Sequence, residues 1–132
     1  MRFQVILTSF ALGLVLGLPA GATPTKSKVR AQPNQDALIT DMAEAYKKPD
    51  ARRLSSLLPQ VQGHVLEPWA AYWELSARLD EAKTAEIDAF LTRYAGTYQE
   101  DRLRNDWLLL LGKRRDWGRF QAEYAKFRMQ DD

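Results

Sequence analysis

Apolar residues in this chain recur at helical rather than alternating spacing from Gln35 onward, and they divide it into six segments. Leu38, Met42, Ala45 and Tyr46 form one stripe, ended by Lys47-Lys48-Pro49. Asp50 is placed to cap a short second helix that carries Leu54, Leu57 and Leu58, and Pro59 and Gly63 bracket the loop after it. A third helix opens with Pro68 in its first turn, a favoured site for proline, and aligns Trp69, Tyr72, Trp73, Ser76 and Leu79. Thr84 is placed to cap a fourth, with Glu86 near its positive end, Ile87, Phe90, Leu91 and Tyr94 as its stripe, and Gly96 as a left-handed stop. Leu103, Trp107, Leu110 and Leu111 mark the fifth, which the pattern ends at Gly112 and the basic run Lys113–Arg115. Asp116 caps the sixth, with Trp117, Phe120, Tyr124 and Phe127 at i, i+3, i+7 and i+10. No alternating run is bounded by hairpin signals, so no strand is predicted.

The segments repeat. Trp69 and Leu103, Trp73 and Trp107, Phe90 and Tyr124, and Leu57 and Leu91 each lie 34 residues apart. That is the period of tetratricopeptide-type helix pairs, although the consensus residues of those repeats are missing. The prediction is an all-α fold, an α-α superhelix or solenoid of about three tetratricopeptide-like helical hairpins.

The N-terminus reads differently. Arg2 precedes a 14-residue run, Val5–Leu18, interrupted only by Thr8 and Ser9. Pro19 breaks it and Ala20-Gly21-Ala22 forms a small-x-small cleavage site, the layout of a secretory signal peptide over 1–22. The run is shorter than the roughly 20 apolar residues of a membrane span, and no cysteine follows it to carry a lipid. Thr23–Asn34, with Pro24, Pro33 and three basic residues, reads as a disordered linker, which leaves 35–132 for the helical domain. Cleavage after Ala22 leaves 18 basic and 17 acidic side chains, so the near-neutral balance gives no argument for nucleic acid. There is no cysteine, and packing rather than disulfides must hold an exported fold together.

Candidate chemistry is thin. His64 is the only histidine and reads as a solvated loop residue, without the three or four ligands a zinc site needs. Glu67 and Glu74, flanking Trp69 and Trp73, are seven residues apart and therefore about 10 Å apart along a helix, near the separation of an inverting glycosidase pair. A helix face is not a cleft, and Glu67 reads more simply as a first-turn charge favoured by the helix dipole. Asp80-Glu81 and Glu100-Asp101 read as helix-end or loop charges. The tryptophans and tyrosines read as core residues, with sugar stacking the functional alternative. The expected site list is empty: no catalytic, cofactor-binding or metal-ligating set.

One resemblance emerges from the aromatic helices. The run Trp107-Leu-Leu-Leu-Leu-Gly-Lys-Arg-Arg-Asp-Trp117 with Phe120 and Tyr124, the segment Leu66-Glu-Pro-Trp-Ala-Ala-Tyr-Trp73, and Ile87–Tyr94 resemble the N-terminal superhelical domain of periplasmic soluble lytic murein transglycosylases. The resemblance spans roughly Asp36 to Arg128. It implies a helical support in peptidoglycan turnover, past which glycan strands are guided, in the periplasm of a Gram-negative bacterium. The family's catalytic glutamate belongs to a separate lysozyme-like domain, in a Glu-Ser dipeptide with Gly-Leu-Met-Gln downstream. None of the seven glutamates here precedes serine, and no Gly-Leu-Met-Gln occurs. The resemblance therefore implies a non-enzymatic segment, incomplete at its C-terminus, whose partners are glycan strands, further helices and a catalytic domain. The alternative is a stand-alone periplasmic adaptor that binds a protein in a solenoid groove. The aromatic side of the sixth helix is expected to present an apolar patch to a following helix.

Overall fold

The computed structural model describes residues 34–129. The expected signal peptide, linker residues 23–33 and residues 130–132 lie outside the described residues. Within them the chain is all-helical, with α1 (Gln35–Lys47), α2 (Ala51–Leu57), α3 (Glu67–Ala77), α4 (Thr84–Arg93), α5 (Tyr98–Arg114) and α6 (Trp117–Tyr124). A 3-10 turn, Leu58–Val61, continues α2, and Pro59 sits at its start rather than in open loop.

Each helix begins where a side chain or a turn satisfies its free N–H groups. Asp50 accepts from the Arg53 amide and Asp116 from the Arg119 amide, as the sequence predicts. Asn34, expected at the end of the linker, instead caps α1 by accepting from the Asp36 amide. Thr97 caps α5 at the Glu100 amide. Thr84 does not cap α4. The cap position is Lys83, whose amide donates to the Glu86 carboxylate at 2.9 Å, so Thr84 is the first helical residue. The fifth helix also runs past Gly112 to Arg114, and Arg115 takes the left-handed turn at φ +60°. Gly112 serves packing instead, because a Cβ there would sit 3.8 Å from the Phe120 ring of α6.

The helices pair as α1–α2 and α5–α6, with α3 against α1 and α2 and α5 against α3 and α4. Two apolar clusters fill the spaces between them. One gathers Ile39, Met42, Leu54, Leu57, Val61 and Ala70 from the first three helices. The other gathers Tyr72, Leu75, Ile87, Phe90, Leu91, Leu103, Trp107 and Leu111 from α3, α4 and α5. Trp107 is 2% exposed, as expected of an anchor. Its expected aromatic neighbour is corrected: Trp73 stacks on Tyr46, while the Arg119 guanidinium covers the Trp107 ring at 4.9 Å.

The repeat length is also corrected. The caps of α2, α4 and α6 are Asp50, Lys83 and Asp116, each 33 residues after the last. Gly63 and Gly96, both left-handed at φ +81° and +84°, are 33 apart, as are Glu67 and Glu100. Apolar matches slide by one position between helices at little cost, whereas caps and left-handed glycines cannot, so they fix the period.

Each pair is clasped at its open end. The Gln35 amide side chain reaches the Gln60 carbonyl at 3.1 Å. Glu67 accepts from the Gly63 amide at 2.7 Å, from the Tyr94 hydroxyl at 3.0 Å and from Arg93 at 2.5 Å. Glu100 accepts from the Gly96 amide at 2.7 Å and from Arg104 and Arg128 at 2.6 and 2.9 Å. The Gly63 amide is the main reason the Glu67 carboxyl is held below its ordinary range, helped by Tyr94 and Arg93. At Glu100 burial pushes the other way, and the Gly96 amide with Arg104 and Arg128 outweighs it, so this carboxyl is lowered too.

Trp107→Ala is expected to cost roughly 3–5 kcal/mol, most of the stability of a domain this size, read as the shift of a urea unfolding midpoint. A loss below about 1 kcal/mol would show that this ring does not anchor the core. Depressed carboxyls stabilise the fold above their unfolded value of about 4.3 and lose that contribution as pH falls through the lower folded value. Melting temperature should therefore hold from pH 7 to about pH 5 and fall below about pH 4, with a shallower acid decline in Glu67→Gln. An acid limb unchanged in that variant would remove Glu67 from the account.

Candidate binding face

The face along which α1, α3 and α5 run side by side carries a diagonal ladder of aromatic rings. Tyr46 of α1 stacks on Trp73 of α3, with centroids 6.1 Å apart and planes 26° apart. Trp73 lies 6.1 Å from Trp69, one helical turn earlier, and Trp69 lies 5.7 Å from Tyr98 of α5. Tyr46, Trp69 and Trp73 are half-buried and Tyr98 is 55% exposed. The i, i+4 spacing of Trp69 and Trp73 puts both indoles on one side of α3, and the register of α3 against its neighbours adds a tyrosine at each end.

Beneath the ladder lies a polar network. The buried Tyr72 hydroxyl donates to Asp106 at 2.7 Å, Ser76 donates to the same oxygen at 3.3 Å, and Arg102 donates to the Tyr72 oxygen at 3.3 Å. Burial above all pushes the Tyr72 phenol well up. Arg102 opposes this and Asp106 adds to it, so the hydroxyl stays a donor. The same contact with Tyr72 is the first cause that raises Arg102. Half-exposed aromatic faces beside fixed hydroxyl, carboxylate and guanidinium groups can take a ring with one apolar face and polar edges.

The other candidates resolve as structural groups. The structure does not bring Glu67 and Glu74 together as a pair. Glu67 is consumed by its clasp, and Glu74 turns inward, 6% exposed, accepting from Ser55 at 2.6 Å and from Arg78 at 2.6 and 3.2 Å. His64 is not solvated as expected, since its side chain is 12% exposed. Its Nδ1 accepts from the Leu66 amide at 3.0 Å, which leaves the proton on Nε2, 2.8 Å from Asp36 of α1. Glu100 and Asp101, read as helix-end charges, are 9% and 5% exposed. Asp101 accepts from the Arg128 and Met129 amides and so ties down the chain after α6. Arg104, 4% exposed, bridges Glu100 and Glu123, the latter 2% exposed. Lys113 and Arg115 are exposed, and Arg114 donates to the Asp80 carbonyl at 2.6 Å. Among the described residues no group of three or more His, Cys, Asp or Glu is arranged to hold a metal ion. No helix among them is long and apolar enough to cross a membrane.

Two grooves flank α4. One, of about 400 Å³, runs between α4 and α6 past Leu91, Arg104, Glu123 and Lys126. The other, of about 210 Å³, meets Leu58, Ala71, Phe90 and Arg93, the residues 33 positions earlier. The first is crossed by the Arg119–Asp88 ion pair and floored by Arg104 and Glu123, so charge rather than apolar surface fills it. The Nε atoms of Arg104 and Arg119 find no hydrogen-bond acceptor.

The sequence showed the helical spacing of the aromatic residues but not their division between core and surface. That division depends on which helix lies next to which, and the one-step change of repeat from 34 to 33 alters the answer.

No family model, no curated protein and no solved structure matches the chain.

Tyr72→Phe removes the donor to Asp106 and the acceptor for Arg102 while keeping the ring, and is expected to cost about 1–2 kcal/mol in denaturant unfolding. A neutral result would show that water replaces the hydroxyl and that the network does not support the face.

Proposed function

We propose that this chain is a non-catalytic helical scaffold, a solenoid of three helix hairpins, that binds glycan strands of the cell wall through the face lined by Tyr46, Trp73, Trp69 and Tyr98. The aromatic ladder is the observation that carries the reading. A pyranose ring has an apolar C–H face and a polar rim, and the ladder offers successive aromatic faces 5.7–6.1 Å apart above fixed polar groups. The 33-residue recurrence of caps, left-handed glycines and grooves supports the solenoid. The resemblance to the superhelical domain of soluble lytic transglycosylases supports the setting, an exported support in peptidoglycan turnover whose chemistry is done by another domain. The signal-peptide reading of 1–22 supports a periplasmic location.

The rival reading, an adaptor for a partner protein, draws its support from the exposed aromatic side of α6, where Trp117 and Tyr124 are 56% and 61% exposed.

Co-sedimentation with purified peptidoglycan tests the proposal. The full chain is expected to pellet with the polymer and to release no anhydromuropeptides. Tyr98→Ala and Trp69→Ala should each weaken binding roughly two- to ten-fold, the equivalent of about 0.5–1.5 kcal/mol per aromatic contact. Binding that is absent, or undiminished in the double variant with its helical content intact, would overturn the glycan reading. Product release would overturn the non-catalytic one.

A further inference from the structure

We propose that the outer face of α6 is a docking site for an amphipathic α-helix of a partner polypeptide, seated on α6 as α3 sits on α2 and α5 on α4. The argument is the internal repeat. Leu58, Leu91 and Tyr124 occupy one position, each 33 residues after the last. Leu91 is 7% exposed, in the cluster that α5 completes with Leu103 and Trp107. Leu58, at the end of α2, packs against both apolar clusters. Tyr124 is 61% exposed because no described helix lies where α5 lies on α4.

The face is continuous and aromatic. Trp117 packs edge-on against Phe120 at 5.9 Å, Phe120 stacks on Tyr124 at 5.9 Å and 10°, and Tyr124 meets Phe127 at 6.5 Å. Trp117 and Tyr124 leave more than half their surface to solvent. Exposed aromatic side chains in an unbroken row mark an interaction surface rather than scattered surface apolarity.

The repeat also states what the occupant looks like. The helices that cover the earlier positions put Ala70 and Leu103, both 0% exposed and 33 apart, into the interface. Both carry a glutamate in the first turn, Glu67 and Glu100. The partner helix therefore has a small or aliphatic stripe and an acidic start. A second copy does not fit. The corresponding side of α1 shows exposed Ala37, Thr40 and Glu44 with half-buried Asp41, a polar surface that caps the array rather than extending it. The inference rests on the hairpin array of the proposed function but not on glycan binding.

The test uses the full chain and a fluorescently labelled synthetic peptide of residues 96–114, which carries α5 with its own cap. Anisotropy is expected to show saturable binding of the peptide and none of a scrambled control. Tyr124→Glu should weaken that binding at least tenfold. Its circular dichroism should be unchanged, because the side chain is mostly in solvent, and so should its co-sedimentation with peptidoglycan, which separates this surface from the glycan face. Absence of saturable binding by this peptide and by a second one spanning 63–79 would overturn the proposal. So would equal binding by Tyr124→Glu, or a dimer of the chain alone in sedimentation velocity that dissociates in Tyr124→Glu.

Discussion

The turn before each of α3 and α5 needs a left-handed residue, and glycine takes that conformation without the Cβ clash other residues meet. The amide of that glycine then points at the first turn of the helix that follows, where it must find an acceptor. Glu67 and Glu100, four residues on, supply it. A carboxylate in the first helical turn is already favoured by the dipole. Its second oxygen is left to bind the far end of the hairpin, Arg93 and Tyr94 in one case and Arg104 in the other, while the oxygen that takes Gly96 also takes Arg128. One side chain thus satisfies a turn, starts a helix and fixes where the next helix ends. Without it the hairpin opens at the end where apolar packing is thinnest.

That economy explains why α5 carries Glu100, Asp101 and Arg104 in its interior-facing first turns. Buried charges are weak evidence for stability, since well-packed apolar groups of the same volume often do as well. Their use here is register. Asp101 holds the amides of Arg128 and Met129, and Arg104 holds Glu123, so α6 and the chain beyond it are located by directional bonds. Apolar packing alone allows a helix to rotate or slide by a fraction of a turn.

Much of this was legible in the sequence and some was not. Asp50 and Asp116 follow breaker segments and precede apolar stripes, and they cap as read. Trp107 lies in the middle of a long apolar stripe and is buried as read. Glu74, Glu100 and Asp101 were misjudged for a common reason. Helical spacing says which residues share a face, but the face that is buried is decided by a neighbouring helix many residues away, here through Ser55, Arg128 and Met129. His64 was misjudged likewise, because Asp36, which takes its proton, is 28 residues distant. Thr84 lost its cap to Lys83 because the Glu86 side chain reaches the amide before it. The binding face could not be read for a further reason: its ladder joins Tyr46, Trp69, Trp73 and Tyr98, residues whose spacing in sequence has no common period.

The aromatic side chains thereby fall into three populations with different physical duties. Tyr72, Phe90 and Trp107 are enclosed and hold the second cluster together. Tyr46, Trp69, Trp73 and Tyr98 stand half in water along α1, α3 and α5. Trp117 and Tyr124 face outward from α6, with Phe120 half beneath them. An aromatic side chain kept in water gains nothing from burial on folding and adds association risk, so rings left exposed in two separate rows need a reason beyond stability. The two rows lie on different helices and share no ring contact, the first ending at Tyr98 and the second starting at Trp117. Surfaces separated in this way can take two ligands without competition, a polymer along one and a helix along the other. A scaffold that brings a wall strand and a partner protein together requires that arrangement.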